Sequence, residues 1–352
     1  MRIGLFGLPT AGKTYILDRI DFLTVLAGGK LLRQIDPDFD KRDEFGREAA
    51  RKAAANYVLN LDNFIMDGHY AFGDEIAFTE EEGRMYEIYL YLYIKPEILE
   101  HRLSLSERNK KWLKFDIKAW QDLEISKLRE YCHANNKDFY VIDNPPSFES
   151  EDISNVIEFI RDITKGYSCY SFAEKCAKQI TEMTTKDSIT LFDGDKTLII
   201  EDSSNAAFGY KTHLFDGNFY TGYQVWKQYK EFKQYTIPNL DNLHVTSNKS
   251  VADNISDSSY ILSSGNKEVW KSISNKMNLP FFGGVEMSAE TKFFITKLLQ
   301  NNGKTVKAYG DSMSDYYMLR QADQGYLVLK SDGRVSRSLK SMCLDGLNYV
   351  RN

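Results

Sequence analysis

The segment Gly7-Leu8-Pro9-Thr10-Ala11-Gly12-Lys13-Thr14 constrains this chain more than any other. It fits the pattern G-x-x-x-x-G-K-[ST], follows the apolar run Arg2–Phe6 and precedes a helical pattern. Strand, glycine-rich turn and helix in that order gather backbone N–H groups into one concavity, and the helix start adds partial positive charge. Gly7 and Gly12 let the main chain approach phosphate oxygens. Lys13 is placed to reach the β- and γ-phosphates of a nucleoside triphosphate such as ATP, and the Thr14 hydroxyl to hold Mg2+. A strand of this kind sits in a parallel sheet covered by helices on both faces, so the expected class is α/β.

A second signature begins about 180 residues later. The strand-like run Ile189-Thr190-Leu191-Phe192 leads into Asp193-Gly194-Asp195-Lys196-Thr197. Two carboxylates one residue apart at a strand end can divide the work around one phosphorus. One attacks to form an aspartyl-phosphate, and the other handles the leaving-group proton. Their mutual repulsion calls for a cation, and Mg2+ suits an all-oxygen site. After a further strand-like run, Val306–Tyr309, the segment Gly310-Asp311-Ser312-Met313-Ser314-Asp315 adds two carboxylates. Asp193, Asp195, Asp311 and Asp315 form the expected metal set.

Two such signatures need two sheets, and 352 residues suffice for two domains. The first half alternates strand-like runs (Arg2–Phe6, Lys30–Gln34, Phe64–Met66, Tyr86–Ile94, Phe139–Ile142) with helical patterns (Lys13–Leu26, Glu44–Leu61, Pro96–Leu103, Ile117–Asn135). Asn144-Pro145-Pro146 breaks the chain, and a helix over Asp152–Ile163 closes a domain of residues 1–165. Residues 166–187, with a helical pattern at Ser171–Met183, read as a linker helix. Residues 188–352 then alternate again, with strands at Ile189–Phe192, Leu243–Val245, Val306–Tyr309 and Gly325–Val328. Helices are expected there at Val225–Phe232, Lys267–Met277, Ala289–Asn301 and Ser314–Gln321.

Charge narrows the partners. Residues 1–165 carry 23 Lys and Arg against 30 Asp and Glu, and the remainder 22 against 20. Neither half is a basic platform for long duplexes. No apolar run approaches the roughly 18 residues of a membrane span, and the N-terminal run is too short for a signal peptide. Cys132, Cys169, Cys176 and Cys343 lack C-x-x-C spacing and read as free thiols, which makes the cytoplasm the expected compartment.

On the acceptor side of the first half, Asp36 and Asp38 follow the run Lys30–Gln34. Either is placed to take a proton from an attacking hydroxyl, although Asp36-Pro37-Asp38-Phe39-Asp40 is also a turn sequence. Asp67, ending the run Phe64-Ile65-Met66, can hold Mg2+ or meet the acceptor, while His69 reads as structural. Residues 102–118 carry Arg102, Arg108, Lys110, Lys111, Lys114 and Lys118 against Glu107 and Asp116. This basic stretch is the expected lid, with Arg102 and Arg108 neutralising the transferring phosphoryl group.

The first half resembles small P-loop kinases of the polynucleotide, nucleoside and nucleotide kinase group, and Gly68-His69 is similar to adenylate-kinase-like sequences. The second half resembles phosphatases of the haloacid-dehalogenase superfamily over most of residues 188–352. That resemblance implies a Rossmann-like sheet, with Asp193 as nucleophile and Asp195 as general acid and base. It further implies Thr246, or else Ser247, as the phosphate-binding hydroxyl, and Lys292, or else Lys297, as the lysine of the third motif. Gly310-Asp311-Ser312-x-x-Asp315 corresponds to the fourth motif. The aromatic-rich stretch within about 199–241 (Phe208, Tyr210, Phe215, Phe219, Tyr220, Tyr223, Trp226, Tyr229, Phe232) corresponds to a small cap, its rings forming mostly the cap's own core.

The domain order resembles phage-type polynucleotide kinase–phosphatases. It implies a bifunctional enzyme using ATP and Mg2+ that phosphorylates a 5′-hydroxyl and removes a 3′-phosphate at a nucleic-acid end. The acidic first half and the cap favour the alternative, a kinase and phosphatase of a nucleoside, nucleotide or sugar phosphate.

Overall fold

Buried apolar runs in the first half pair into one parallel sheet. The computed structural model describes residues 1–143, 150–209 and 218–351. The break at Asn144-Pro145-Pro146 and the rings of Tyr210 and Phe215 lie outside the described residues. Contacts divide the chain into two units, Met1–Tyr167 and Ser168–Asn352.

In the first unit the strands are β1 (Arg2–Phe6), β2 (Thr24–Leu26), β3 (Phe64–Asp67), the short antiparallel pair β4 (Ala71–Phe72) and β5 (Glu75–Ile76), β6 (Ile88–Tyr93) and β7 (Asp138–Asp143). The main sheet runs β2-β3-β1-β6-β7, every neighbouring pair parallel. Five of the six residues of β6 are buried, as a strand covered on both faces requires. The helices are α1 (Lys13–Leu17), α2 (Gly28–Ile35), α3 (Glu44–Val58), α4 (Glu80–Met85), α5 (Pro96–Ser104), α6 (Ile117–Asn135) and α7 (Ser150–Thr164). Side chains start several of them: Asp43 accepts from Gly46 N, Asp116 from Ala119 N, and Thr79 and Glu82 close a capping box.

Two sequence expectations fail in this unit. The helix expected over Lys13–Leu26 ends at Leu17, and its last residues form the edge strand β2. The strand expected at Lys30–Gln34 is instead α2. Leu31 and Ile35 are four residues apart, a helical spacing, and the first amide of α2, Gly28 N, donates to Asp67 Oδ1 at 2.8 Å.

In the second unit the strands are β8 (Ser188–Asp193), β9 (Ser259–Ser263), β10 (Phe281–Gly283), β11 (Thr305–Gly310), β12 (Gln324–Leu329) and β13 (Asn348–Arg351). They form one parallel sheet in the order β10-β9-β8-β11-β12-β13. Around it lie α8 (Cys169–Met183), α9 (Ser203–Phe208), α10 (Gly222–Phe232), α11 (Lys249–Ala252), α12 (Lys267–Met277), α13 (Ala289–Asn301) and α14 (Tyr316–Gln321). Helix α8, expected as a linker, is part of this unit: Ala173, Cys176, Ala177 and Ile180 share a core with Ile189 and Leu191 of β8 and Phe294 and Ile295 of α13. Between β8 and β9 the chain inserts α9, which packs on α12, and α10, which packs on α13.

The molecule is therefore α/β with two doubly wound sheets. The order in which strands are added switches side at β1 and at β8, so the carboxyl ends of β1 and β3, and of β8, β9 and β11, open onto crevices where such sheets take ligands. Among the described residues no helix is long and apolar enough to cross a membrane.

Candidate active sites

The glycine-rich loop leaves the carboxyl end of β1 with Gly7 at φ 145°, Thr10 at φ 64° and Gly12 at φ 102°. The left-handed turn at Gly12 rules out a side chain there without strain. Leu8 and Ala11 are buried, and Ala11 N donates to Leu8 O at 3.2 Å, which fixes the turn against the sheet. Pro9 lies at its rim and lines the neighbouring cavity. Lys13 is 6 % exposed and its ammonium donates to Gly7 O at 2.5 Å and Leu8 O at 3.1 Å. Burial lowers its pKa to about 8, against the opposing pull of the carboxylates Asp67 and Glu124. Thr14 is exposed at the start of α1. With α1 only five residues long, the anion-holding capacity rests on the loop amides and Lys13 more than on a helix dipole.

Beside the loop lies a cavity of about 490 Å3, lined among others by Asp67, His69, Arg51, Arg47, Arg108 and Trp112. Asp67 stands at the end of β3, next to β1 in the sheet. The Arg51 side chain is 7 % exposed and makes no hydrogen bond or ion pair among the described residues. Its guanidinium carbon lies 5.9 Å from the Phe39 ring centre. His69 Nδ1 is buried without a hydrogen-bond partner among the described residues, and burial, then the charge of Lys13, pushes its pKa well below the usual value. Phe72 stacks on Trp112 with ring centres 5.8 Å apart, and this pair forms an apolar wall.

The expected acceptor-side residues separate here. Asp36 does not line this cavity. Its carboxylate accepts from Arg42 Nε at 2.8 Å and Nη2 at 3.2 Å, and that hydrogen-bonded partner lowers its pKa. The cause is the strand that became α2: Asp36 caps a helix end instead of a strand end. Asp38 pairs with Lys41. Of the lid arginines, Arg108 reaches the cavity, whereas Arg102 sits half-buried on α5 outside its lining. Lys111 and Trp112 join Arg108 from the same stretch.

The second site gathers at the ends of β8, β9 and β11. Lys292, 1 % exposed on α13, donates to Asp193 Oδ1 at 2.6 Å and to Asp315 Oδ1 at 2.7 Å. Asp315 Oδ2 accepts from the N–H groups of Asp311 and Ser312 and from the Ser312 hydroxyl, each at 3.2 Å. That close wrap needs Gly310, where a Cβ would stand 2.3 Å from Asp315 Cβ. Oxygens of Asp193, Asp311 and Asp315 lie within 4.8 Å of one another. Burial, then the neighbouring carboxylates, raises the pKa of Asp193 to about 6 and that of Asp311 well above its ordinary value. Three buried, crowded carboxylates with one lysine fit a hard divalent cation such as Mg2+.

Asp195 stands apart from this trio. Its carboxylate accepts from Ser203 N at 2.8 Å and the Ser203 hydroxyl at 3.1 Å, so its side chain is not grouped with the metal ligands as expected. Burial, reinforced by Asp202 and Asp193, pushes its pKa up to about 7.

Thr246 and Ser247 are both exposed and neither lines the cavity. Residues Leu243–Val245 form no strand. Thr246 O accepts from Ile200 N and Thr246 N donates to Glu201 Oε2, which ties this stretch to the loop after Asp195. The strand beside β8 is β9, and its end brings Ser263, Ser264 and Gly265 to the cavity. Sequence reading missed these residues, although Tyr260-Ile261-Leu262 followed by two serines, a glycine and a helical pattern is the same kind of signal. Lys292 takes the position facing Asp193, ahead of Lys297.

Tyr220, Tyr223, Trp226 and Phe232 of the inserted segment are buried, and the Tyr229 hydroxyl donates to Gly265 O at 2.9 Å. These rings pack inward, as expected of most of them. Of these five, only Tyr220 lines the cavity.

No family model matches this chain, and no curated protein matches it in sequence. Among solved structures, this chain is similar to shikimate kinase from Bacteroides thetaiotaomicron, at 17 % identity and a TM-score of 0.34 over 47 % of this chain and 98 % of that one. A similarity also exists to a HAD family hydrolase from Salmonella enterica subsp. enterica serovar Typhi, at 16 % identity and a TM-score of 0.28 over 40 % of this chain and 62 % of that one. A phosphoserine phosphatase in apo form matches at 15 % identity and a TM-score of 0.29, over 42 % of this chain and 89 % of that one.

Proposed function

We propose that the chain is a bifunctional phosphate-transfer enzyme, an ATP-dependent kinase in its first unit and an Mg2+-dependent phosphomonoesterase in its second. The observation that carries the reading is Lys292 bridging Asp193 and Asp315 beside Asp311, with Asp195 held separately on Ser203. This arrangement aims one carboxylate as nucleophile and keeps a second, less acidic one for proton transfer.

In the second unit, Asp193 Oδ attacks the phosphorus of a monoester and the P–O bond to the alcohol breaks. Asp195, with a pKa near 7, gives its proton to the departing alkoxide. The Asp195 carboxylate then takes a proton from water, whose oxygen attacks the aspartyl-phosphate, frees inorganic phosphate and restores Asp193. The Ser263 hydroxyl and the Lys292 ammonium meet the phosphoryl oxygens, while the Ser264 hydroxyl is engaged on Met287 O. Asp193, Asp311 and Asp315 would hold a divalent cation, which would supply positive charge against the carboxylates and the substrate phosphate.

In the first unit, the loop amides and Lys13 would hold the ATP phosphates, and the Thr14 hydroxyl would be available to Mg2+. Asp67 takes the proton of the acceptor hydroxyl, and Arg108 closes on the transferring group.

The acceptor is a small anionic alcohol. A cavity of about 490 Å3 has the volume of a small-molecule site. The buried Arg51 guanidinium has no hydrogen-bonded carboxylate among the described residues, only the longer-range charges of Glu82 and Glu48, so an anion in the cavity would be held by it.

The test offers the purified chain labelled ATP and Mg2+ with 5′-hydroxyl oligonucleotides beside nucleosides, nucleotides, sugar phosphates and hydroxy acids. Label is expected on small anionic alcohols. Label confined to oligonucleotide ends restores the end-healing reading.

A further inference from the structure

The segment after β12, Lys330-Ser331-Asp332-Gly333-Arg334-Val335-Ser336-Arg337-Ser338-Leu339-Lys340, has no role in the chemistry described above. Its four cations, Lys330, Arg334, Arg337 and Lys340, all line the cavity that holds Asp193, Asp195 and Asp311. The main chain that carries them is held there. Lys330 N donates to Arg334 O at 2.9 Å and Gly333 N to Lys330 O at 2.8 Å, closing a tight turn. Leu339 is 1 % exposed in the core, and Met313 N donates to Ser338 Oγ at 3.1 Å. That last bond ties the cationic segment to the loop carrying Asp311 and Asp315.

Arg334 pairs with Asp332, but Lys330, Arg337 and Lys340 have no acidic partner within 4.0 Å among the described residues. All four side chains are exposed, and like charges gathered on one wall of a cavity leave a positive potential that a substrate anion can meet. The floor does not need them. Lys292 already bridges Asp193 and Asp315, and Ser263 and Ser264 line the cavity beside Asp193. The cavity, about 1120 Å3, has room for far more than a phosphoryl group.

We propose that this wall selects phosphomonoesters whose alcohol carries a second phosphoryl group, held by Lys330, Arg337 and Lys340 while the first is cleaved at Asp193. The inference rests on the phosphatase reading. The second group passes through unchanged, since the bond that breaks joins the first phosphorus to the alcohol oxygen. A kinase acting on an alcohol that already carries a phosphoryl group yields an ester of this class, so the wall suits the second unit to such products of the first.

The full chain with Mg2+ is compared on adenosine 3′-monophosphate, adenosine 3′,5′-bisphosphate, a dinucleotide bearing a 3′-phosphate, and p-nitrophenyl phosphate. The bisphosphate is expected to exceed the monophosphate in kcat/KM by about tenfold or more, mostly through KM, with the preference shrinking as salt rises. Arg337→Ala with Lys340→Ala should bring the ratio close to one, while Arg337→Lys with Lys340→Arg should retain most of it. Preference for the dinucleotide over the bisphosphate supports the same wall with a nucleic-acid source. A wild-type ratio near one, or a ratio that the double alanine variant leaves unchanged, overturns the inference even when p-nitrophenyl phosphate is hydrolysed. If no ester is hydrolysed, the phosphatase reading fails instead. Calorimetric binding of the mono- and bisphosphate then still decides on the wall, and equal affinities overturn it.

Discussion

The Lys292 ammonium donates at 2.6 Å to Asp193 Oδ1, joining a helix to a strand end 99 residues away in sequence. Its second bond, to Asp315 at 2.7 Å, makes it the sole ammonium in direct contact with the carboxylate trio among the described residues. Lys292→Met leaves these buried carboxylates uncompensated, a change that costs about 3–5 kcal/mol in comparable buried pairs. Calorimetry should show a lower melting transition for the second unit, partly restored by Mg2+, together with loss of ester hydrolysis. An unchanged transition means the pair carries no such role.

The two sites should fail separately. Asp193→Asn removes the nucleophile and is expected to cut hydrolysis by roughly 10^3-fold or more while phosphate transfer from ATP persists. Lys13→Ala should cut transfer by about 10^2–10^3-fold and leave hydrolysis intact. Both activities measured on each variant decide this. Loss of both in either single variant contradicts independent active sites.

The residues that gave this reading were those whose local pattern is dictated by chemistry. The loop from Gly7 to Thr14 and the pair Asp193 and Asp195 announce themselves because phosphate binding needs those types at that spacing, and both stand at strand ends. Lys292 was legible through resemblance alone, since nothing local marks a lysine inside a helix as a partner of a distant strand. Thr246 was misplaced because Leu243-His244-Val245 imitates a buried strand. Only the pairing of β9 with β8 shows that Ser263, and not Thr246, lines the cavity. Asp36 was misassigned for a related reason: a short run rich in leucine fits helix and strand alike, and tertiary context settled it as α2. Arg51 left no sequence signal, because an arginine on an amphipathic helix reads as a solvated residue until its burial is seen.

The carboxylate trio also sets a pH-dependent response to metal. Burial and its neighbours raise the pKa of Asp311 well above the ordinary value, so the folded state prefers it protonated. A raised carboxyl pKa means stability is lost as pH rises through the range between the unfolded and folded values. A cation offsets that loss, so the rise in melting temperature on adding Mg2+ should be larger at pH 8 than at pH 5. Asp311→Asn should shrink the difference. Equal Mg2+ effects at both pH values, or none, argue against metal at this site.

Beneath the glycine-rich loop, Glu124 has no exposed surface, and its carboxylate accepts from Ala71 N and the Tyr91 hydroxyl, each at 2.9 Å. Burial pushes its pKa up to about 6, while its negative charge supports the Lys13 ammonium, whose own pKa is lowered to about 8. Glu124→Gln keeps an acceptor for Ala71 N but removes the charge. Two consequences follow with opposite signs. For stability, wild-type Glu124 becomes unfavourable as pH rises from its unfolded value of 4.5 through about 6. The variant should therefore gain stability over wild type by roughly 1–2 kcal/mol at pH 8 and lose that gain by pH 4, as thermal melts would show. For catalysis, Lys13 loses a supporting charge and its pKa falls further. The alkaline limb of kcat/KM for ATP, set in the free enzyme near the Lys13 pKa, should move to lower pH. A variant that is stabilised at pH 8 while its alkaline limb stays fixed would separate Glu124 from Lys13 and leave it a purely structural residue.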